Sequence, residues 1–262
     1  MTTRGAIIDL DGTVYRGETP VPGARRGIDA LRDAGYTPCF FSNNPTRSAA
    51  GFADRLAGMG FDVDPERIRS AATVTTDYLT REHADERVFL IGSSGLRSLF
   101  EEAGLALVEA PETCDVLVAS YDRGFTYDDM TAGLRALEAG AAFVGTDPDV
   151  TIPTADGKSV PGSGAIINAV AGVAEREPDI VVGKPSQEAL DAALAALSHP
   201  EECLVVGDRL DTDIALGERG GLTTVLVRSG VTDGTTLATT SVEPDHVIEN
   251  LGEIGSVLDA LR

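Results

Sequence analysis

The stretch Gly5-Ala6-Ile7-Ile8-Asp9-Leu10-Asp11-Gly12-Thr13 decides how the rest of the chain is read. A short apolar run of strand length ends in two carboxylates at i and i+2, followed by a glycine turn. In open α/β sheets ligands bind beyond the carboxyl ends of the strands, so this pattern puts Asp9 and Asp11 where chemistry is done. Asp9 can act as a nucleophile and Asp11, in a different environment, as a proton donor. The same letters also fit a plain surface turn, because Asp-Gly is a common turn pair.

Outward from this motif, strand-like and helix-like segments alternate. Pro22 opens a helix with apolar positions at Ala24, Ile28 and Leu31, and Gly35 stops it. Tyr36 to Phe41 reads as the next strand, Ser42-Asn43-Asn44-Pro45 as a polar turn, and Thr46 to Met59 as a second helix ended by Gly60. Cys203 to Gly207, Thr223 to Val227 and Asp245 to Ile248 read as later strands. Short apolar strands alternating with helices predict a parallel sheet covered on both faces, an α/β protein. The middle of the chain repeats the alternation: strands at Val88 to Ile91, Asp115 to Ala119 and Ala142 to Gly145, helices at Ser94 to Ala103 and Asp128 to Ala139. A Gly- and Pro-rich stretch from Asp156 to Gly164 leads into a helix from Ala165 to about Glu175. The middle is large enough to hold a core of its own.

Composition narrows the function classes. Hydrophobic residues make up 42% of the 262, enough for a core, so disorder is excluded. No apolar run approaches the roughly 20 residues that span a bilayer. Asp9 and Asp11 arrive before a signal-type stretch could form, so a cytoplasmic protein is expected. Lys+Arg number 21 against 42 Asp+Glu, a net charge of −21 that repels nucleic-acid backbones and anionic lipid. Lys158 and Lys184 are the only lysines. Acid excess with lysine scarcity resembles the proteins of salt-loving microbes, where salt screens surface repulsion, and predicts folding that needs high salt; an ordinary acidic cytosolic enzyme is the alternative. Cys39, Cys114 and Cys203 form no CxxC pair, and His83, His199 and His246 lack metal-ligand spacing.

Three companions strengthen the first motif. Ser42-Asn43 ends a strand, where a hydroxyl and backbone N–H groups can hold phosphate oxygens. Lys184, in Gly183-Lys184-Pro185, follows the strand Ile180 to Val182, and a retained lysine in a lysine-poor chain invites a functional role, with an ordinary surface lysine as the alternative. Gly207-Asp208-Arg209-Leu210-Asp211-Thr212-Asp213 follows another strand, which places Asp208 to join Asp9 in a hard, oxygen-rich site suited to Mg²⁺. Asp213, at the start of the next helix, fits equally well as a partner of the helix dipole.

The order DxDGT, SNN, GKP and GDxxxTD resembles the haloacid dehalogenase (HAD) superfamily of phosphatases. Asp11-Gly12-Thr13-Val14-Tyr15-Arg16-Gly17, Pro20-Val21-Pro22-Gly23-Ala24, Phe41-Ser42-Asn43-Asn44-Pro45-Thr46-Arg47-Ser48 and Ser229-Gly230-Val231-Thr232 resemble its subfamily IIA, the NagD-like, 4-nitrophenylphosphatase-type branch. The resemblance implies a HAD-like three-layer, Rossmann-like parallel-sheet core from residues 1–78 and 180–262, with an inserted α/β cap of the C2 type at 79–179. It implies that Asp9 attacks phosphorus to form an aspartyl-phosphate, and that Asp11 protonates the leaving alcohol and then deprotonates water. Mg²⁺ would be held by Asp9, the backbone carbonyl of Asp11 and Asp208. Ser42, the Asn43 backbone and Lys184 would bind phosphoryl oxygens, with Asp213 orienting metal waters or Lys184. Caps of this branch often contribute to dimer contacts, so a homodimer is among the expected assemblies.

In the insertion, Ser120-Tyr121-Asp122-Arg123 and Thr146-Asp147-Pro148-Asp149 are candidate specificity loops, with Asp122, Arg123 and Asp147 as the residues singled out; ordinary polar turns explain them as well. Ile91-Gly92-Ser93-Ser94-Gly95 lacks the GxGxxG of a dinucleotide loop and reads as a cap turn. Dehalogenation is disfavoured, because a departing alkoxide needs the proton of Asp11 and a halide does not. The expected function is Mg²⁺-dependent hydrolysis of a small phosphomonoester (a sugar phosphate, nucleoside monophosphate, phosphoglycolate or similar). The alternatives are a phosphotransferase on the same scaffold and a non-catalytic phosphometabolite-binding or regulatory protein, against which the intact motifs weigh.

Overall fold

The run Arg4–Asp9 is apolar from Ala6 to Ile8 because both of its faces are covered, the signature of a central parallel strand. The computed structural model describes residues 2–154, 158–230, 232 and 242–261; Asp156 and Val231 of the stretches named above lie outside them. The chain forms two compact units, one of Met1–Ser42, Ala49–Arg69 and Lys184–Arg262, the other of Asn43–Ser48 and Ser70–Gly183.

In the first unit, β1 (Arg4–Asp9) lies inside a six-stranded sheet between β4 (Tyr36–Ser42) and β13 (Glu202–Gly207). Beyond β4 comes β5 (Ile68–Ser70); beyond β13 come β14 (Thr223–Val227) and β15 (His246–Ile248). The chain therefore builds outward from β1 first on one side and then on the other, which makes the carboxyl end of β1 a topological switch point. Parallel register fixes what meets there. Ile8 pairs with Val206 and with Phe40, and Asp9 with Phe41, so Asp9, Ser42 and Asp208 all emerge at one end. Between β1 and β4, β2 (Tyr15–Arg16) and β3 (Thr19–Pro20) form a small antiparallel hairpin.

Alternate residues of the sheet face two helical layers. Ala6, Ile8, Leu204, Val206, Val225 and Val227 pack against Ile28 and Leu31 of α1 (Ala24–Asp33), Phe52 and Leu56 of α2 (Ala49–Gly58), and Val257 and Leu258 of α9 (Ile254–Ala260). On the other face Leu226 meets Leu210 and Ile214 of the turn that feeds α8 (Ala215–Gly220). The second helix starts at Ala49 rather than Thr46, because the Asn44 side chain accepts from both the N–H and the hydroxyl of Thr46 and holds a turn there. A further helix, α7 (Gln187–Ala196), is capped by the Ser186 hydroxyl, which accepts from the Ala189 N–H.

The second unit is also α/β. Its five-stranded sheet runs β12 (Ile180–Val181), β9 (Ala142–Gly145), β8 (Val116–Ala119), β6 (Arg87–Ile91) and β7 (Ala106–Leu107), every pair parallel. Leu117, Ala119 and Phe143 of the sheet form a core with Ala136 and Leu137 of α5 (Tyr127–Glu138) and Ile166, Ile167 and Val170 of α6 (Ser163–Ala174). The unit also holds α3 (Ala71–Glu82), α4 (Ser94–Glu102) and an antiparallel hairpin of β10 (Thr151–Pro153) and β11 (Ser159–Pro161). Helix α3 starts where Ser70 and Thr73 cap each other reciprocally, a box closed by a threonine hydroxyl instead of the usual Glu or Gln.

A methyl group at Gly27 would run into the carbonyl oxygen of Leu251, so α1 reaches its neighbour only because that position lacks a side chain. Gly27→Ala is expected to cost about 1–3 kcal/mol through overpacking, despite the better helix propensity of alanine. Denaturant unfolding checks this; a variant at least as stable as the parent would show that α1 is free to shift.

Candidate active site

After Asp9 the backbone winds back on itself. Val14 and Tyr15 both donate from their N–H groups to the Leu10 carbonyl, at 2.9 and 3.1 Å, and the Gly12 N–H donates to the Tyr15 carbonyl at 2.7 Å. This tight coil holds Asp9 in the interior, 7% exposed, and leaves Asp11 exposed at the rim. It also returns the Tyr15 hydroxyl to Asp11, where it donates to Oδ2 at 3.2 Å.

Lys184 is 2% exposed and points its ammonium into the same place. Its Nζ donates to Asp9 Oδ1 at 2.7 Å, to Asp213 Oδ1 at 2.6 Å and to the Phe41 carbonyl at 3.3 Å. Asp213 is delivered by the turn Leu210–Ile214, and its second oxygen accepts from the Arg209 N–H at 3.1 Å. Asp208 is 1% exposed, and a methyl on Gly230 would occupy the space of its side chain, so the carboxylate is wedged against bare backbone.

Asp9, Asp208 and Asp213 each bring an oxygen within 4.8 Å of the others. Three buried carboxylates beside one ammonium leave the cluster anionic in a place where unpaired charge is expensive. Burial pushes the Asp9 carboxyl well above the usual range; Lys184 pulls it back, while Asp213 and Asp208 add to the rise. For Lys184, burial pushes the pKa down, but Asp213 and Asp9 reverse this and the net direction is up. The Tyr15 phenol is raised by burial and by the charge of Asp11. Asp9 Oδ2 is buried with no hydrogen-bond partner. A hard divalent cation fits this set, because it takes oxygen ligands and supplies the missing positive charge. Among the described residues no histidine or cysteine belongs to such a group.

Ser42 closes β4 and is buried at the end of the sheet where Asp9 emerges. Asn43, the next residue, packs with the second unit, where it and Asp147 flank Gly183. Asp147 is buried among hydroxyls and backbone: Thr146 Oγ1 donates to it at 3.1 Å and the Asp149 N–H at 3.3 Å. Burial, followed by the charge of Asp149, pushes its pKa up to about 8. Asp122 accepts from the Gly124 N–H at 2.8 Å in a local turn, and Arg123 beside it is exposed. Two further residues had no role assigned from sequence: Tyr15, two residues past the first motif, stands beside the proton-donor candidate, and Arg55 of α2 has its guanidinium 4.7 Å from the centre of the Tyr15 ring.

Two family models match the chain: haloacid dehalogenase-like hydrolase over residues 6–106, and HAD-hydrolase-like over residues 181–254. An acid sugar phosphatase of Staphylococcus haemolyticus is 34% identical over 257 residues, 98% of this chain and 97% of that protein. The 5'-nucleotidase YutF of Bacillus subtilis is 32% identical over 253 residues, 96% of this chain and 97% of its own. Among solved structures, a p-nitrophenyl phosphatase from Archaeoglobus fulgidus superposes with a TM-score of 0.90 at 35% identity, covering 98% of this chain and 99% of that one.

The buried acid of the second unit gives a signed pH dependence. A carboxyl whose folded pKa lies above its unfolded value, about 3.9, lends stability that is complete below the unfolded value and is lost as pH rises through the folded one. For Asp147 that window runs from about 4 to about 8. Asp147→Asn is therefore expected to gain stability relative to the parent as pH is raised from 5 to 8. Thermal melts across that range measure it; a difference between the two proteins that stays flat with pH would contradict it.

Proposed function

Starting from a chain that belongs to the haloacid dehalogenase-like hydrolases, and is a phosphoric monoester hydrolase of the branch of NagD and the nitrophenylphosphatases, we propose Mg²⁺-dependent release of phosphate from a small sugar phosphate or similar ester through an aspartyl-phosphate on Asp9. The observation that carries this is the Lys184 ammonium bound between Asp9 and Asp213, beside Asp208 and an Asp9 oxygen that lacks a partner.

In this scheme an Asp9 oxygen bonds to phosphorus as the ester P–O bond breaks. The departing alcohol takes its proton from Asp11. Asp11, now a carboxylate, then accepts a proton from the water that attacks phosphorus, and Asp9 and inorganic phosphate are released. Exposure at the rim suits Asp11 to exchanging protons with substrate and water. Asp9, Asp208 and the Asp11 carbonyl would hold magnesium, which supplies charge neutralisation to the phosphoryl oxygens. Asp213 orients metal waters or anchors Lys184, whose ammonium it already accepts from at Oδ1. Lys184, Ser42 and the Asn43 backbone receive the phosphoryl oxygens. Such catalysis is mostly positioning and electrostatics.

Residues 1–78 and 180–262 are assigned to the hydrolase core and 79–179 to a cap that reads the rest of the substrate, with Asp122, Arg123 and Asp147 as specificity candidates. Sugar phosphates come first among substrates because relatives are named acid sugar phosphatase, sugar-phosphatase AraL and dihydroxyacetone phosphatase.

Turnover of nitrophenyl phosphate is expected with Mg²⁺ and not with EDTA, and Asp9→Asn should lower kcat at least about a thousandfold while the variant still binds inorganic phosphate. Turnover by Asp9→Asn equal to that of the parent would remove Asp9 as the nucleophile. The net charge of −21 further suggests a protein suited to a salt-rich cytoplasm. The thermal midpoint is then expected to climb as KCl is raised to molar levels, and a midpoint indifferent to salt would refute that adaptation.

A further inference from the structure

We propose that Tyr15, braced by Arg55, is a positioning residue that aims the Asp11 carboxyl at the leaving-group oxygen, and so sets how well the enzyme cleaves esters of weakly acidic alcohols. This rests on the phosphatase chemistry just described and adds to it the residues that make the proton donor effective.

Asp11 sits at the exposed rim. Tyr15 is the opposite, 1% exposed and among the largest side chains in the core. Its hydroxyl nevertheless reaches Asp11 Oδ2 at 3.2 Å. Backbone pairing between Asp11 and Tyr15, with the 2.7 Å bond from the Gly12 N–H to the Tyr15 carbonyl, fixes the two residues at one separation. The rigid ring therefore transmits the order of the core to a carboxyl at the surface.

Arg55 explains why the ring cannot swing away. Its guanidinium stacks 4.7 Å from the ring centre, and its Nη2 donates to the Gly17 carbonyl at 2.5 Å, tying α2 to the β2–β3 hairpin that begins at Tyr15. Its Nε is buried with no hydrogen-bond partner, which costs free energy. The bond to Gly17 and the contact with the Tyr15 ring together hold the guanidinium in place.

A leaving group that is already a stable anion needs little help from an acid, and a poorer one needs much more. Misaiming Asp11 should therefore penalise phenyl phosphate more than p-nitrophenyl phosphate, two esters of nearly the same shape. The experiment measures kcat/KM for both esters in the parent, Tyr15→Phe, Arg55→Gln and Asp11→Asn, with thermal melts alongside. Because kcat/KM reports the step in which the ester bond breaks, later hydrolysis of the aspartyl-phosphate does not mask the effect. In Tyr15→Phe, phenyl phosphate is expected to lose about tenfold and p-nitrophenyl phosphate less than about threefold, as for loss of one hydrogen bond to a charged group. Arg55→Gln should move the ratio the same way by less. An equal loss on both esters would mark Tyr15 as merely structural and overturn the proposal, and so would no loss on either. Asp11→Asn separates the two levels. If it discriminates between the esters and Tyr15→Phe does not, the positioning role fails and the phosphatase scheme stands; if Asp11→Asn does not discriminate, the acid role of Asp11 fails and the positioning role falls with it.

Discussion

One ammonium group holds this site together. Lys184 Nζ is buried with a carboxylate on either side, Asp9 at 2.7 Å and Asp213 at 2.6 Å. Neither acid could be left ionised in that interior without it, and a lysine could not be buried there without them. The three residues come from the end of β1, the segment before α7 and the turn after β13, so the ion cluster also stitches together distant parts of the first unit. Removing one partner would strand a charge rather than delete a contact, which is why the cluster is as much a folding constraint as a chemical device.

The sheet makes this meeting inevitable. Parallel strands in register deliver their carboxyl ends to one edge, and β1 lies where the chain changes the side on which it builds. Asp9, Ser42 and Asp208 need no long-range design beyond being the last residues of neighbouring strands or the first beyond them. The site remains short of positive charge, with three acids to one lysine. That deficit matches a divalent cation, whose charge beside Lys184 would give an anionic ester the local attraction that a chain of net charge −21 lacks overall.

The part of this legible in the sequence was the part written at strand ends. An apolar run followed by carboxylates announces itself locally, so Asp9, Asp208 and the buried Ser42 are found by position, and Lys184 by its rarity. The α/β alternation and the core of the middle region follow from the same runs. What stayed hidden depended on partners distant in sequence or on unusual local chemistry. Arg55 lies on a helix forty residues beyond Tyr15 and reads as an ordinary surface cation until the two are seen stacked. Helix α3 is rich in threonine and opens with a hydroxyl box, so its pattern lacks the glutamate and leucine spacing that flags most helices. The start of α2 is delayed by a side-chain turn at Asn44 that apolar periodicity does not register.

If Asp9 is the nucleophile proposed above, its buried carboxylate bonds to phosphorus during turnover, and rapid acid quench followed by peptide mass analysis detects that bond. The expected result is a peptide spanning Asp9 heavier by one phosphoryl group, absent from Asp9→Asn. Phosphate release with that peptide unmodified at every quench time, under conditions in which a known aspartyl-phosphate survives, would contradict it and point to direct attack by water.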